Sequence, residues 1–190
     1  QEQEQTLTIQ QALDLALQDH TAGNLPQAKS IYQQILQAEP NQPVALHLLG
    51  VISQQAGNNR IAVDLIRKAI AIKPDYAEAH SNLGNVLEEL GQFDEAVASY
   101  NMAIAFKPNF AEAYSNLGNA FKELGKLDEA VFSYNKAIEI KPDYAEGYSN
   151  LGAALRELGQ FKEAVASYNK AITLKPNYVE AYSNLGNALK

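Results

Sequence analysis

Residues 111–144 read AEAYSNLGNAFKELGKLDEAVFSYNKAIEIKPDY, and the same 34-residue frame stands on either side of them. The block before, 77–110, reads AEAHSNLGNVLEELGQFDEAVASYNMAIAFKPNF. The block after, 145–178, reads AEGYSNLGAALRELGQFKEAVASYNKAITLKPNY. The frame extends backward, more diverged, to 43–76 and 9–42. It extends forward to 179–190, which stops near the middle of a sixth copy. Residues 1–8, QEQEQTLT, form a polar segment outside it, and 9–190 is expected to be a single array. A period of this length marks stacked repeats, in which no unit buries its apolar faces alone.

Each block reads as two helices. In 77–110, Ala79, Leu83, Val86, Leu87 and Leu90 recur at the spacing of one helical stripe. Gly91 then permits the positive φ that ends a helix. Phe93, Ala96, Val97, Tyr100, Ala103 and Ile104 form a second stripe, which Pro108 stops. The pairs Asp75-x-x-Glu78, Asn109-x-x-Glu112, Asp143-x-x-Glu146 and Asn177-x-x-Glu180 resemble capping boxes with Asp or Asn as the cap. Gly84, Gly118, Gly152 and Gly186 fall mid-helix, where glycine costs up to about 1 kcal/mol against alanine. Recurrence at one register predicts close approach to the facing helix, whose large residues are Tyr100, Tyr134 and Tyr168.

Composition narrows the function. The 190 residues carry a net charge of −7, are 46% hydrophobic and contain no cysteine and three histidines. An acidic chain without clustered Lys and Arg is not expected to bind nucleic acid. No apolar run approaches the roughly 18 residues of a membrane span, so no membrane partner is expected. Thiolate chemistry is excluded with the cysteines. No phosphate-binding glycine loop, His-Glu-x-x-His motif or Gly-x-Ser-x-Gly elbow occurs, so no catalytic residue, metal or cofactor is expected. His47 and His80 lie close to one repeat apart, too few ligands for a metal site.

The spacing of Leu83, Gly84, Ala96, Tyr100, Ala103 and Pro108, repeated in register, resembles the tetratricopeptide repeat over 9–190. The first repeat departs from that pattern with Ala16 in place of Gly, and the second with Ile66 in place of the aromatic. The resemblance implies an all-α chain, a right-handed α-α superhelix of antiparallel helix pairs with first helices lining a concave groove. It also implies a non-enzymatic protein that binds peptides or other proteins. The opening at 11–50 is similar to the start of arrays attached to bacterial O-linked N-acetylglucosamine-transferase-like proteins.

On that geometry the groove face carries Ser81, Asn82 and Asn85; Ser115, Asn116 and Asn119; Ser149 and Asn150; Ser183, Asn184 and Asn187. Ala153 interrupts the series. A line of amides offers donors and acceptors to a peptide backbone of any sequence. The alternative is that these residues were copied by duplication and are merely solvated. A carboxylate-gripping groove is excluded, because Glu78, Ser81, Glu112 and Ser115 stand where its cations would be. Toward the N-terminus the same face turns apolar, with Ile9, Leu13, Leu17, Val44, Leu48 and Val51. That patch is either a binding surface or the seat of residues 1–8 or an upstream segment. The last helix carries Tyr182, Leu185 and Leu189 with no second helix after it. The chain is then a cut piece of a longer array, tolerates the bare end, or covers it with another copy by a head-to-tail contact. Three functions therefore compete: an interaction scaffold, a polymer of head-to-tail copies, and the substrate-recognition arm of a larger glycosyltransferase.

Overall fold

The computed structural model describes residues 7–188. Among the described residues it contains eleven helices and no strand. They are α1 (Ile9–Thr21), α2 (Leu25–Ala38), α3 (Pro43–Gln55), α4 (Asn59–Ile72), α5 (Ala77–Glu89), α6 (Phe93–Phe106), α7 (Ala111–Glu123), α8 (Leu127–Ile140), α9 (Ala145–Glu157), α10 (Phe161–Leu174) and α11 (Val179–Ala188). They fall into two compact units, one ending at Leu90 and the other beginning at Gly91. In the first, α1 pairs with α2 and α3 with α4, while α2 packs on α3 and α4 on α5. In the second, α7 pairs with α8 and α9 with α10, and α6, α8 and α10 each pack on the helix that follows. First helices of successive repeats also touch: α3 with α5, α7 with α9, and α9 with α11.

The turn inside each repeat has one solution used five times. Gly23, Gly57, Gly91, Gly125 and Gly159 all have φ between 72° and 82°, a region that L side chains avoid. At Gly125 the chain closes a Schellman arrangement: Lys126 N–H donates to the Phe121 carbonyl at 2.9 Å. From the second repeat on, the second helices end immediately before a Lys-Pro pair. Each of those lysines lies over the aromatic ring three residues on. Lys73 Nζ is 4.8 Å from the Tyr76 ring centre, Lys141 Nζ 4.9 Å from that of Tyr144 and Lys175 Nζ 4.6 Å from that of Tyr178.

Those aromatics displace the expected caps. The N-caps of α5, α7 and α9 are Tyr76, Phe110 and Tyr144, and none makes a side-chain capping bond. Asp75, Asn109 and Asp143 sit one residue too early to cap. Glu112 and Glu146 instead pair with the lysines that follow the second helices of their own repeats, Lys141 at 3.3 Å and Lys175 at 2.9 Å. One full capping box does form, at Thr8 and Gln11 of α1.

The interior alternates small and large residues. In the first unit Leu13, Ala16, Ala28, Tyr32, Ala45 and Leu49 belong to one core. In the second, Ala130, Tyr134, Leu151, Ala154, Ala164 and Tyr168 run together across successive repeats. The mid-helix glycines explain the spacing. A Cβ on Gly118 would stand 2.6 Å from the Tyr134 ring, and one on Gly152 2.8 Å from Tyr168. Gly50 meets Ile66 at 2.7 Å in the same way, so the rule holds where the large residue is aliphatic.

Gly118→Ala and Gly152→Ala are expected to lower unfolding stability by about 1–3 kcal/mol, overpacking outweighing the gain in helix propensity. Gly186→Ala, with nothing within 4 Å of its would-be Cβ, is expected to be neutral or stabilising. Urea titrations of the three variants followed by circular dichroism separate these outcomes.

Candidate protein-interaction surface

The asparagines of the first helices hold two distinct positions in the repeat, and each has internal work. Asn82 and Asn150 are sixth in their blocks and reach back to the fifth residue of the preceding block. The Asn82 amide donates to His47 Nε2 at 2.8 Å. The Asn150 amide donates to Ser115 Oγ at 3.5 Å, the long limit of such a bond. Asn119 is ninth in its block and faces its own second helix, where its Oδ1 accepts from the Tyr134 hydroxyl at 2.7 Å. That bond satisfies a phenol whose side chain is fully buried.

The ninth position accounts for two unpaired phenols. Tyr168 stands to Ala153, and Tyr32 to Leu17, as Tyr134 stands to Asn119. Neither an alanine nor a leucine side chain can accept a hydrogen bond, and the hydroxyls of Tyr32 and Tyr168 are buried without a partner among the described residues. Burial pushes the Tyr32 phenol up to about 12 and raises Tyr168 as well. In the second repeat Val51 and Ile66 hold these two positions, and the polar pair is absent on both sides.

His47 occupies a slot that holds serine in later repeats. It is 3% exposed. Because the Asn82 amide nitrogen can only donate, Nε2 is the acceptor, and Nδ1 carries the proton toward the Tyr76 hydroxyl at 3.0 Å. Burial depresses the imidazole to about 4, against an opposing pull from Glu78 and with a minor contribution from His20. His80 turns elsewhere, its Nε2 2.8 Å from the Pro74 carbonyl oxygen. Among the described residues no group of three or more His, Cys, Asp or Glu is placed to hold a metal ion.

The remaining expected site residues divide. Asn82, Asn85, Asn116, Asn119, Asn150 and Asn184 are half-buried and Asn187 is exposed. Ser81, Ser115 and Ser149 are buried rather than groove-facing. In the apolar stretch, Leu13 is a core residue and offers no free surface. Ile9, Val44 and Leu48 pack half-buried against that core, Val51 is half-buried, and Leu17 is exposed. The expected apolar patch is therefore smaller than the residue types imply, because α1 and α3 turn much of it into the first unit's core. At the other end Tyr182 is exposed, while Leu185 packs on the second unit's core. Leu189 lies outside the described residues.

Ala153→Asn, which supplies the missing acceptor, is expected to stabilise by about 1 kcal/mol, and Asn119→Ala to destabilise by about 1–3 kcal/mol, both read from urea unfolding. His47 is held neutral in the folded chain, whereas the unfolded imidazole titrates near 6.5. Its contribution is therefore complete above about pH 6.5 and is lost as pH falls toward 4. Between pH 7 and pH 5 that loss is about 2 kcal/mol, and His47→Gln is expected to lose markedly less over the same interval.

The family profile described as TPR repeat matches residues 62–91, 85–125, 118–158 and 153–190. A second, described as Tetratricopeptide repeat, matches 43–76. No curated protein sequence matches the chain. Among solved structures, MamA is 28% identical with a TM-score of 0.76, covering 85% of this chain and 94% of its own. YrrB, described as a TPR protein with an unusual peptide-binding site, is 23% identical with a TM-score of 0.73, covering 90% and 89%. TTC0263, a thermophilic TPR protein in Thermus thermophilus, is 23% identical with a TM-score of 0.76, covering 96% and 99%.

Proposed function

As the chain belongs to the tetratricopeptide-repeat family, we propose that it is a non-enzymatic scaffold that binds an extended peptide or protein segment across its first helices. The observation that carries this reading is the partial engagement of Asn119 and Asn150. They stand on α7 and α9, which touch. Asn119 spends its carbonyl on Tyr134, and its NH2 has no partner among the described residues. Asn150 spends one N–H on Ser115 and keeps its carbonyl. Asn119 is held firmly by its short bond and Asn150 more loosely by its long one, each with the complementary group unspent, so the rotamer entropy lost on binding a peptide backbone is least at Asn119. The unusual peptide-binding site ascribed to YrrB supports the same use of the fold.

A second reading is association of copies of this chain. It has its support in α11, where Val179 is 78% and Tyr182 51% exposed, and in Leu17 at 46%. Sedimentation at high micromolar concentration tests it, and a single monomeric species would exclude it. The reading as a recognition arm of a glycosyltransferase has only the resemblance at 11–50 in its favour.

The scaffold reading is tested on an array of random twelve-residue peptides probed with the full chain. Retention by peptides unrelated in sequence is expected, weakened about fivefold by Asn150→Ala, the loss of one hydrogen bond. The long Asn150–Ser115 contact makes that variant mild for folding, which circular dichroism checks. Undiminished retention would remove the asparagine face from the binding site.

A further inference from the structure

The second unit holds a cavity of about 530 Å³ between α6, α7 and α8, on the side of the second helices. Tyr114, Leu117 and Phe121 of α7 line it, and Ile104 of α6 and Phe132 of α8 wall it. Phe132 is 63% exposed. The corresponding position carries Ser30, Asp64, Ala98 and Ala166 in the other repeats, all of them exposed. A solvent-facing slot that is small or polar four times out of five thus holds a phenyl ring once, beside an open apolar cavity. Such a ring is costly to leave in water and typical of a contact hot spot.

The charge around the cavity is of one sign. Asp128 and Glu129, on the first turn of α8, are the two ionised side chains that line it, and no described Lys or Arg does. Among the described residues neither carboxylate has an ion-pair partner. The next repeat keeps Glu163 for Glu129 but has Lys162 for Asp128 and Ala166 for Phe132. Apolar wall and acidic rim therefore occur together here.

We infer that this cavity is a second docking site, distinct from the asparagine face, for a partner segment that inserts a leucine- or phenylalanine-sized side chain beside Phe132 and carries an adjacent Lys or Arg toward Asp128 and Glu129. The volume exceeds that of one large side chain, and the acidic rim selects the basic neighbour.

The test pans a phage-displayed random heptapeptide library on the immobilised full chain and on Phe132→Ala, Asp128→Lys and Asn150→Ala. The first two variants install what the next repeat already carries at these positions, so folding is preserved. Enriched heptapeptides are expected to pair a Leu or aromatic residue with a neighbouring Lys or Arg. A fluorescein-labelled enriched peptide should bind at least tenfold more weakly to Phe132→Ala and to Asp128→Lys, and unchanged to Asn150→Ala. Enrichment without basic residues, equal binding to Phe132→Ala, loss confined to Asn150→Ala, or no enrichment at all would each overturn the assignment. The asparagine-face reading stands or falls separately, on its own variant.

Discussion

The close approach of a mid-helix glycine to a large side chain on the facing helix governs this molecule. With Gly118 against Tyr134 and Gly152 against Tyr168, the two helices of a repeat come nearer than a Cβ at 118 or 152 would allow without a shift of the ring. That approach buries the tyrosine ring completely, and burying the ring strands its hydroxyl unless the first helix supplies an acceptor. Asn119 supplies it one residue past the glycine. The Leu-Gly-Asn sequence is thus one device, in which the glycine admits the ring and the asparagine satisfies its tip.

That coupling recasts the polar face. An asparagine bonded to a core phenol is immobilised, and its outward group becomes a fixed donor rather than a mobile one. At Asn119 the fold and the candidate binding surface therefore share one residue. The sixth-position asparagines extend the argument between repeats. Asn150 ties α9 to Ser115 of α7, and Asn82 ties α5 to His47 of α3.

Much of this was legible in the chain. The period, the two helices per block, the helix-ending glycines and the close contact at Gly118 and Gly152 follow from spacing, because repetition shows which residues share an environment. What repetition conceals is where each environment lies. Ser115 and Ser149 read as groove residues because they are polar, yet small hydroxyls fit buried between first helices. Leu13 reads as part of an exposed patch because it shares a register with polar neighbours, yet it reaches the core. The Asp and Asn at the block ends read as caps, but the aromatic after them takes the cap position and carries a lysine on its face. Exceptions to the repeat carry the most information about contacts. His47, Ala153 and Phe132 each break a pattern, and each marks a changed environment.

The tyrosines carry a further consequence. The chain has no tryptophan, so its near-ultraviolet absorption and emission belong to phenols. Tyr134 and Tyr168 occupy matching cages, one with an amide oxygen on its hydroxyl and one without. The native molecule thus contains its own paired chromophores, and isotope-labelled phenols at these two positions would report the acceptor that Asn119 supplies and Ala153 cannot.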